Sequence, residues 1–181
     1  MKDIRIAGLL ILLLFSNESM AQKYKSVSSS IHFFSDAPME DIEATNLDGQ
    51  SAIDLSTGEI VFSIPIKSFE FEKSLMQEHF NENYLESGKY PTATFQGKVT
   101  GFNKDAGGWQ KAKAQGSMNI HGVSNELVAD GEIMIEEGTI GIKSKFPIAL
   151  EDYKIKIPKV VFYNIAEVVE VTITFTYEPI D

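Results

Sequence analysis

At 181 residues the chain is the size of one domain, and with 43% hydrophobic and 23% charged residues it has the make-up of an ordinary globular protein. Its 16 Lys+Arg against 26 Asp+Glu give a net charge of −10, which excludes the basic footprint that nucleic-acid binding requires. The absence of cysteine excludes disulfides, thiolate metal sites, a cysteine nucleophile and an acylated lipoprotein anchor.

Residues 1–21 read as a secretory signal peptide rather than as part of the fold. Lys2 and Arg5 precede the apolar run IAGLLILLLF at 6–15, and Ser19-Met20-Ala21 places small residues at −3 and −1 of a cleavage site after Ala21. The run is too short to cross a hydrocarbon core, which takes about 20 residues. Residues 22–181 are then a single exported domain, periplasmic or secreted.

The exported domain reads as strands. Candidates fall at 27–34, 60–66, 92–102, 111–120, 127–136, 139–148, 153–160 and 168–177. Strand 168–177 alternates most strictly, with Val169, Val171, Ile173, Phe175 and Tyr177 on one face and Glu170, Thr172, Thr174 and Thr176 on the other. Ile60, Phe62, Ile64 and Ile66 share a face, and Pro65, lacking an amide hydrogen, predicts an edge, bulge or interruption. Ala112, Ala114, Gly116, Met118 and Ile120 form another inward face, mostly of small residues. Turn signals separate the runs at Asp48-Gly49, Thr57-Gly58, 105–108, 122–125 and Glu137-Gly138. Eight or so such strands predict an all-β sandwich or closed barrel. A short helical insertion near 74–85 interrupts them, where Leu75, Met76, His79 and Phe80 have helical spacing and Pro91 stops the run.

The small inward face, with Gly97, Gly101, Gly131 and Gly141 inside strands, has two readings. It leaves the interior unfilled, since a packed eight-stranded barrel needs bulky side chains meeting at its axis. Equally, glycines mark bulges and close backbone approaches.

No catalytic constellation emerges: the nucleophile elbow, the H-E-x-x-H helix, the P-loop and the dinucleotide fingerprint are all missing. His32, His79 and His121 are far apart in sequence, which gives no local metal pair. His121, beside a turn, reads as a histidine satisfied within the fold, and His79 as packing or as a polar group on the helix. Asp36, Glu40, Asp41 and Glu43 lack EF-hand spacing and read as a solvated loop. Trp109 reads as a rim aromatic. The expectation is a protein that is not an enzyme and takes no cofactor.

Three segments in order resemble the YceI-like family. Residues 73–95 (KSLMQEHFNENYLESGKYPTATF) are similar to its helix with an H-F pair followed by an aromatic-Pro entrance to a strand. Residues 116–124 (GSMNIHGVS) resemble its G-x-L-x-I-H-G-V-T hairpin, with Met118 in place of Leu. Asp152-Tyr153-Lys154-Ile155 and the final V-E-V-x-I-x-F strand also fit. Residues 34–53 depart from the family by lacking the G-x-F-x-G pattern after the first strand. The resemblance implies an eight-stranded antiparallel β-barrel, lipocalin-like, holding a polyisoprenoid in its bore. Relatives carry isoprenoid quinones or polyprenyl phosphates.

On that reading the bore comprises Phe33, Phe62, Ile64, Phe95, Met118, Ile120, Ile133, Ile142, Phe146 and Phe175. The mouth and its helix comprise Phe69, Phe71, Leu75, Met76, Phe80 and Tyr84, with His79 or Asn83 touching the head group. The partners are an isoprenoid lipid or quinone and a membrane met transiently, with a homodimer left open. Two alternatives stand beside this: a ligand-free interaction module with a solid core, and an exported enzyme with an acid/base pair around His79.

Overall fold

The computed structural model describes residues 23–36, 41–136, 138–157 and 166–180. The expected leader and residues 158–160 of an expected strand lie outside them. Ten ladder segments form: β1 (Lys23–Ser35), β2 (Ile42–Asn46), β3 (Gln50–Asp54), β4 (Glu59–Pro65), β5 (Glu70–Phe71), β6 (Thr92–Thr100), β7 (Gly108–Ile120), β8 (Val123–Glu136), β9 (Thr139–Ala149) and β10 (Val168–Pro179). One α-helix, α1 (Ser74–His79), precedes β6.

These segments make a closed antiparallel barrel of eight strands. β2 and β3 both pair with β1, at its two ends, and so act as one strand broken at Leu47-Asp48-Gly49. β4 and β5 pair with β3 and β2 and act as a second broken strand. Pro65 ends β4, and the chain turns through Ile66–Ser68 before resuming as β5, which is the interruption its missing amide hydrogen predicts. β10 closes the sheet against β1, from Tyr24 opposite Pro179 to Phe34 opposite Glu170. No sheet edge runs the length of the barrel, which removes a template for aggregation.

Two sequence expectations are corrected. Residues 153–157 are not a strand: the chain leaves β9 through a tight turn at Leu150–Tyr153, and Lys154 takes φ +56°, which no strand accommodates. The eighth strand is instead 42–54. Its inward residues include Ala44, Asn46 and Ser51, small or polar, so it lacks the apolar alternation that marks the others. Their polar atoms are satisfied: Asn46 Nδ2 donates to the Pro65 carbonyl at 2.7 Å, and the Ser51 hydroxyl to the Val61 carbonyl at 2.7 Å. The helical insertion near 74–85 forms as expected, running from Ser74 to Tyr84, but its pitch changes. After His79 it widens, with the Leu85 amide donating to the Phe80 carbonyl at 2.9 Å.

The barrel's two ends differ. At the base, where β3 gives way to β4 and β8 to β9, bulk fills the axis. Ile53, Ile140 and Tyr177 are at most 2% exposed, and the Tyr177 hydroxyl donates to Ser51 Oγ at 2.8 Å. At the other end sit the insertion between β4 and β6 and the turn after β9.

Candidate functional site: an apolar cavity

Above the filled base the barrel is hollow. A cavity of about 330 Å³ lies along the axis, within the range of small-molecule sites. The alternation of each strand supplies its wall. Phe62 and Ile64 come from β4, Phe95 from β6, Met118 and Ile120 from β7, Ile133 from β8, Ile142 and Phe146 from β9, and Phe175 from β10. Sequence-expected bore residues are therefore brought together around one space, joined there by Phe33.

The two readings of the small residues divide by residue type. Ala112 and Ala114 line the cavity, and a larger side chain at either would occupy it. Gly97 and Gly116 serve curvature instead, because they stand opposite each other and a Cβ on either would strike backbone. Gly141 faces outward beneath Trp109.

The mouth is an aromatic cluster. Phe33 of β1 stacks on Phe80 at 5.5 Å between centroids, and Phe69 and Phe71 pack edge-on or tilted around them at 5.0–5.6 Å. Phe69, Phe71 and Phe80 come from the insertion, so the helical segment caps the bore with rings rather than with backbone. Met76 and Tyr84 join the lining. Leu75 and Asn83 do not: Leu75 is 61% exposed and Asn83 also faces solvent. Helical spacing alone could not say which side of so short a helix meets the barrel.

Polar groups on the wall are few. His79 lines the mouth while remaining exposed, and Tyr84 turns its ring inward, where burial raises its phenol above the ordinary value and keeps it a donor. Lys143 and Glu132 reach the wall through their backbone while their side chains stand on the outer face and pair with each other at 2.7 Å. His121 is taken up by the fold: Nδ1 donates to the Tyr153 carbonyl at 3.2 Å, and Nε2 pairs with Glu86 at 2.7 Å. Among the described residues, no cluster of three or more His, Cys, Asp or Glu side chains is arranged to hold a metal ion.

Sequence reasoning misses several lining residues. Val171 and Ile173 share the inward face of Phe175 and carry the same signal. Ile155 lines the cavity too, but from the turn after β9, and periodicity gives no hint of that.

A hollow, closed antiparallel barrel of eight strands with an apolar bore defines the lipocalin-like fold class. The YceI-like domain family model matches residues 22–177, and the chain belongs to that family. Its fold is shared with a polyisoprenoid-binding domain from Saccharophagus degradans implicated in plant cell wall breakdown (TM-score 0.74, 16% identity, 87% of this chain and 98% of that one). It is shared also with BcnA of Burkholderia cenocepacia (0.68, 17%, 82% and 95%) and with the YceI protein of Campylobacter jejuni (0.56, 19%, 99% and 92%). No curated protein matches the sequence.

Proposed function

We propose that the protein carries or stores a polyisoprenoid, with an isoprenoid quinone the form its cavity suits, outside the cytoplasm. The observation that carries this reading is the cavity: enclosed at the base, walled by aliphatic and aromatic side chains, and roofed by rings. Each CH₂ withdrawn from water contributes about 0.8 kcal/mol, so an isoprenoid of several units is nearly insoluble alone and gains greatly from such a bore. The alternative host for the tail is a membrane, which is equally apolar. Affinity relative to the bilayer is therefore small and exchange reversible, as carriage requires, and the membrane is met transiently. A solid-cored module is disfavoured by the same open space. The wall comes from one chain, so binding needs no second copy.

At the mouth, Tyr84 and His79 offer hydrogen-bond donors that suit a quinone carbonyl. Export rests on the leader at 1–21, with cleavage after Ala21, and it would place the carrier where lipid must cross water between membranes. The shared fold with a polyisoprenoid-binding domain supports the ligand class.

The test is native mass spectrometry of the freshly purified protein, followed by organic extraction. A co-purifying isoprenoid is expected. A mass equal to the bare chain, together with no binding of an added isoprenoid quinone, would overturn the reading. The N-terminus in the same spectrum should begin at Gln22.

A further inference from the structure

We propose that the wall between β8 and β9 is a lateral gate through which the hydrocarbon tail slides into the cavity. This rests on the lipid-binding reading above and adds a route to it.

β8 pairs with β7 along thirteen rungs, from Gly108–Ile135 to Ile120–Val123. With β9 it shares six, from Glu136–Thr139 to Gly131–Ser144. Beyond that rung, residues 123–130 of β8 and 145–149 of β9 form no ladder with each other, although β9 stays paired with β10 as far as Ala149. Charges on the outer face divide at the same place. Glu132 and Lys143 pair across the seam. One step past the last rung the register would set Asp130 against Lys145, yet each turns away. Asp130 reaches Lys113 on β7 at 3.4 Å, and Lys145 reaches Glu170 on β10 at 2.6 Å.

The break adjoins empty space. Gly131 and Ser144, the last rung, line the cavity, and its wall extends to Glu132 and Lys143. Neither last-rung residue has the bulk to seal the wall. The Ser144 hydroxyl donates to the Asp130 carbonyl at 2.7 Å, a side-chain bond where the ladder stops. Pro147, which has no amide hydrogen, stands in the unpaired stretch, as prolines do on strand edges that must not recruit a partner.

A strap closes the gap where a ladder would have. After β9 the chain folds back through Leu150–Tyr153, and Tyr153 and Ile155 pack with Ala129, Phe146 and Ile148. Two bonds fasten it to the β8 side: Asn125 Nδ2 to the Asp152 carbonyl at 2.7 Å, and His121 Nδ1 to the Tyr153 carbonyl. Few bonds hold a segment weakly compared with a continuous ladder, so local opening is concentrated here. The mouth, by contrast, is filled by four interlocked phenylalanine rings. A methyl-branched tail passes more readily side-on between two strands, leaving its head at Tyr84 and His79.

The chain has no cysteine, so Asp130→Cys with Lys145→Cys introduces the only two thiols, and they face each other across the unpaired step. Bridged by a disulfide, or by dibromobimane where the span is wider, they hold the seam shut. The probe is a benzoquinone with a four-unit isoprenoid tail, followed through the fluorescence of Trp109, which lies against Lys143 beside the seam. The unbridged control, with both thiols capped by iodoacetamide so that the quinone can neither add to them nor oxidise them, should load and release the quinone as the unaltered protein does. The bridged protein should do both about tenfold more slowly, with its final occupancy unchanged. Equal rates with and without the bridge would overturn the gate and leave the lipid reading intact. If no form takes up the quinone at equilibrium, the lipid reading fails and the gate with it.

Discussion

Gly97 of β6 and Gly116 of β7 stand directly opposite each other, so close that a Cβ built on Gly116 would lie 2.4 Å from the Gly97 Cα. A Cβ on Gly97 would lie 2.3 Å from the Gln115 carbonyl oxygen. Both face inward, and the ring of Phe95 covers Gly97. Two strands therefore approach each other closely where both lack side chains on the concave side, and the cavity lining continues past them in both directions, with Val99 and Ala114 toward the base and Phe95 and Met118 toward the mouth.

Gly116→Ala should accordingly cost stability although alanine is small and apolar. Its methyl group meets backbone, which cannot rotate aside, and forcing extra volume into a packed site costs about 1–3 kcal/mol. Urea denaturation measures the loss. Gly138→Ala is the useful contrast, because nothing lies within 4 Å of its Cβ and the only strain is its φ of +76°.

Ala114→Phe should behave in the opposite way. Ala114 lines the cavity opposite Val99, so a ring there enters free space instead of overlapping atoms. The melting temperature should hold or rise, while isoprenoid affinity should fall by more than about tenfold, or roughly 1.4 kcal/mol. A solid core would show the reverse, with stability falling by about 1–3 kcal/mol through overpacking. Calorimetry and a quinone titration on the same sample separate the two outcomes.

How much of this is legible in the sequence depends on what each position does. Strands such as β10 and β7 announce themselves, because burying one face against a core demands alternation. Alternation yields the right number of strands, eight, but not the right membership. Residues 153–160 have the composition of a strand, yet Lys154 turns left-handed and Tyr153 and Ile155 serve as a plug. Residues 42–54 lack the composition, because Asn46 and Ser51 face inward and are buried by hydrogen-bonding to backbone. Such burial depends on acceptors on other strands, and no local window contains them. The inward apolar positions of the bore are readable for the same reason the strands are. Which of them border space, and which fill the base, depends on how the strands converge, and only the assembled barrel decides that.

Tyr177 gives the base a pH signature. Its hydroxyl is buried and hydrogen-bonded to Ser51, and burial raises its pKa well above the ordinary value, with the Ser51 bond offsetting part of the rise. The neutral phenol is the form the fold accepts. Its contribution is complete below about pH 10, the unfolded value, and is lost at about 1.4 kcal/mol per pH unit as pH climbs from there toward the folded pKa. Tyr177→Phe cannot ionise, but it forgoes a hydrogen bond worth about 0.5–1.5 kcal/mol. The variant should be the less stable protein at pH 7 and should close that gap, or overtake, near pH 11. Denaturation midpoints at both pH values provide the measurement, and a gap that stays constant would show that the phenol ionises without unfolding the base.

Phe80 tests whether the aromatic roof matters to retention or only to folding. Its ring touches Phe33, Phe69 and Phe71, and it hangs from the insertion rather than from the barrel wall. Truncating a buried phenylalanine costs about 3–5 kcal/mol in a tight core. Phe80 is only half-buried and borders a cavity, so Phe80→Ala should fall below that range. The larger effect should appear in release. Without this ring the mouth opens directly over Phe33 and adds a second exit to the β8–β9 seam, so bound isoprenoid should dissociate several-fold faster in stopped-flow transfer to vesicles. Phe80→Leu, which keeps apolar bulk but loses the stacking partner of Phe33, should lie between the two. If all three release at one rate, the roof contributes only to folding, and release runs through the β8–β9 seam alone whatever stands at the mouth.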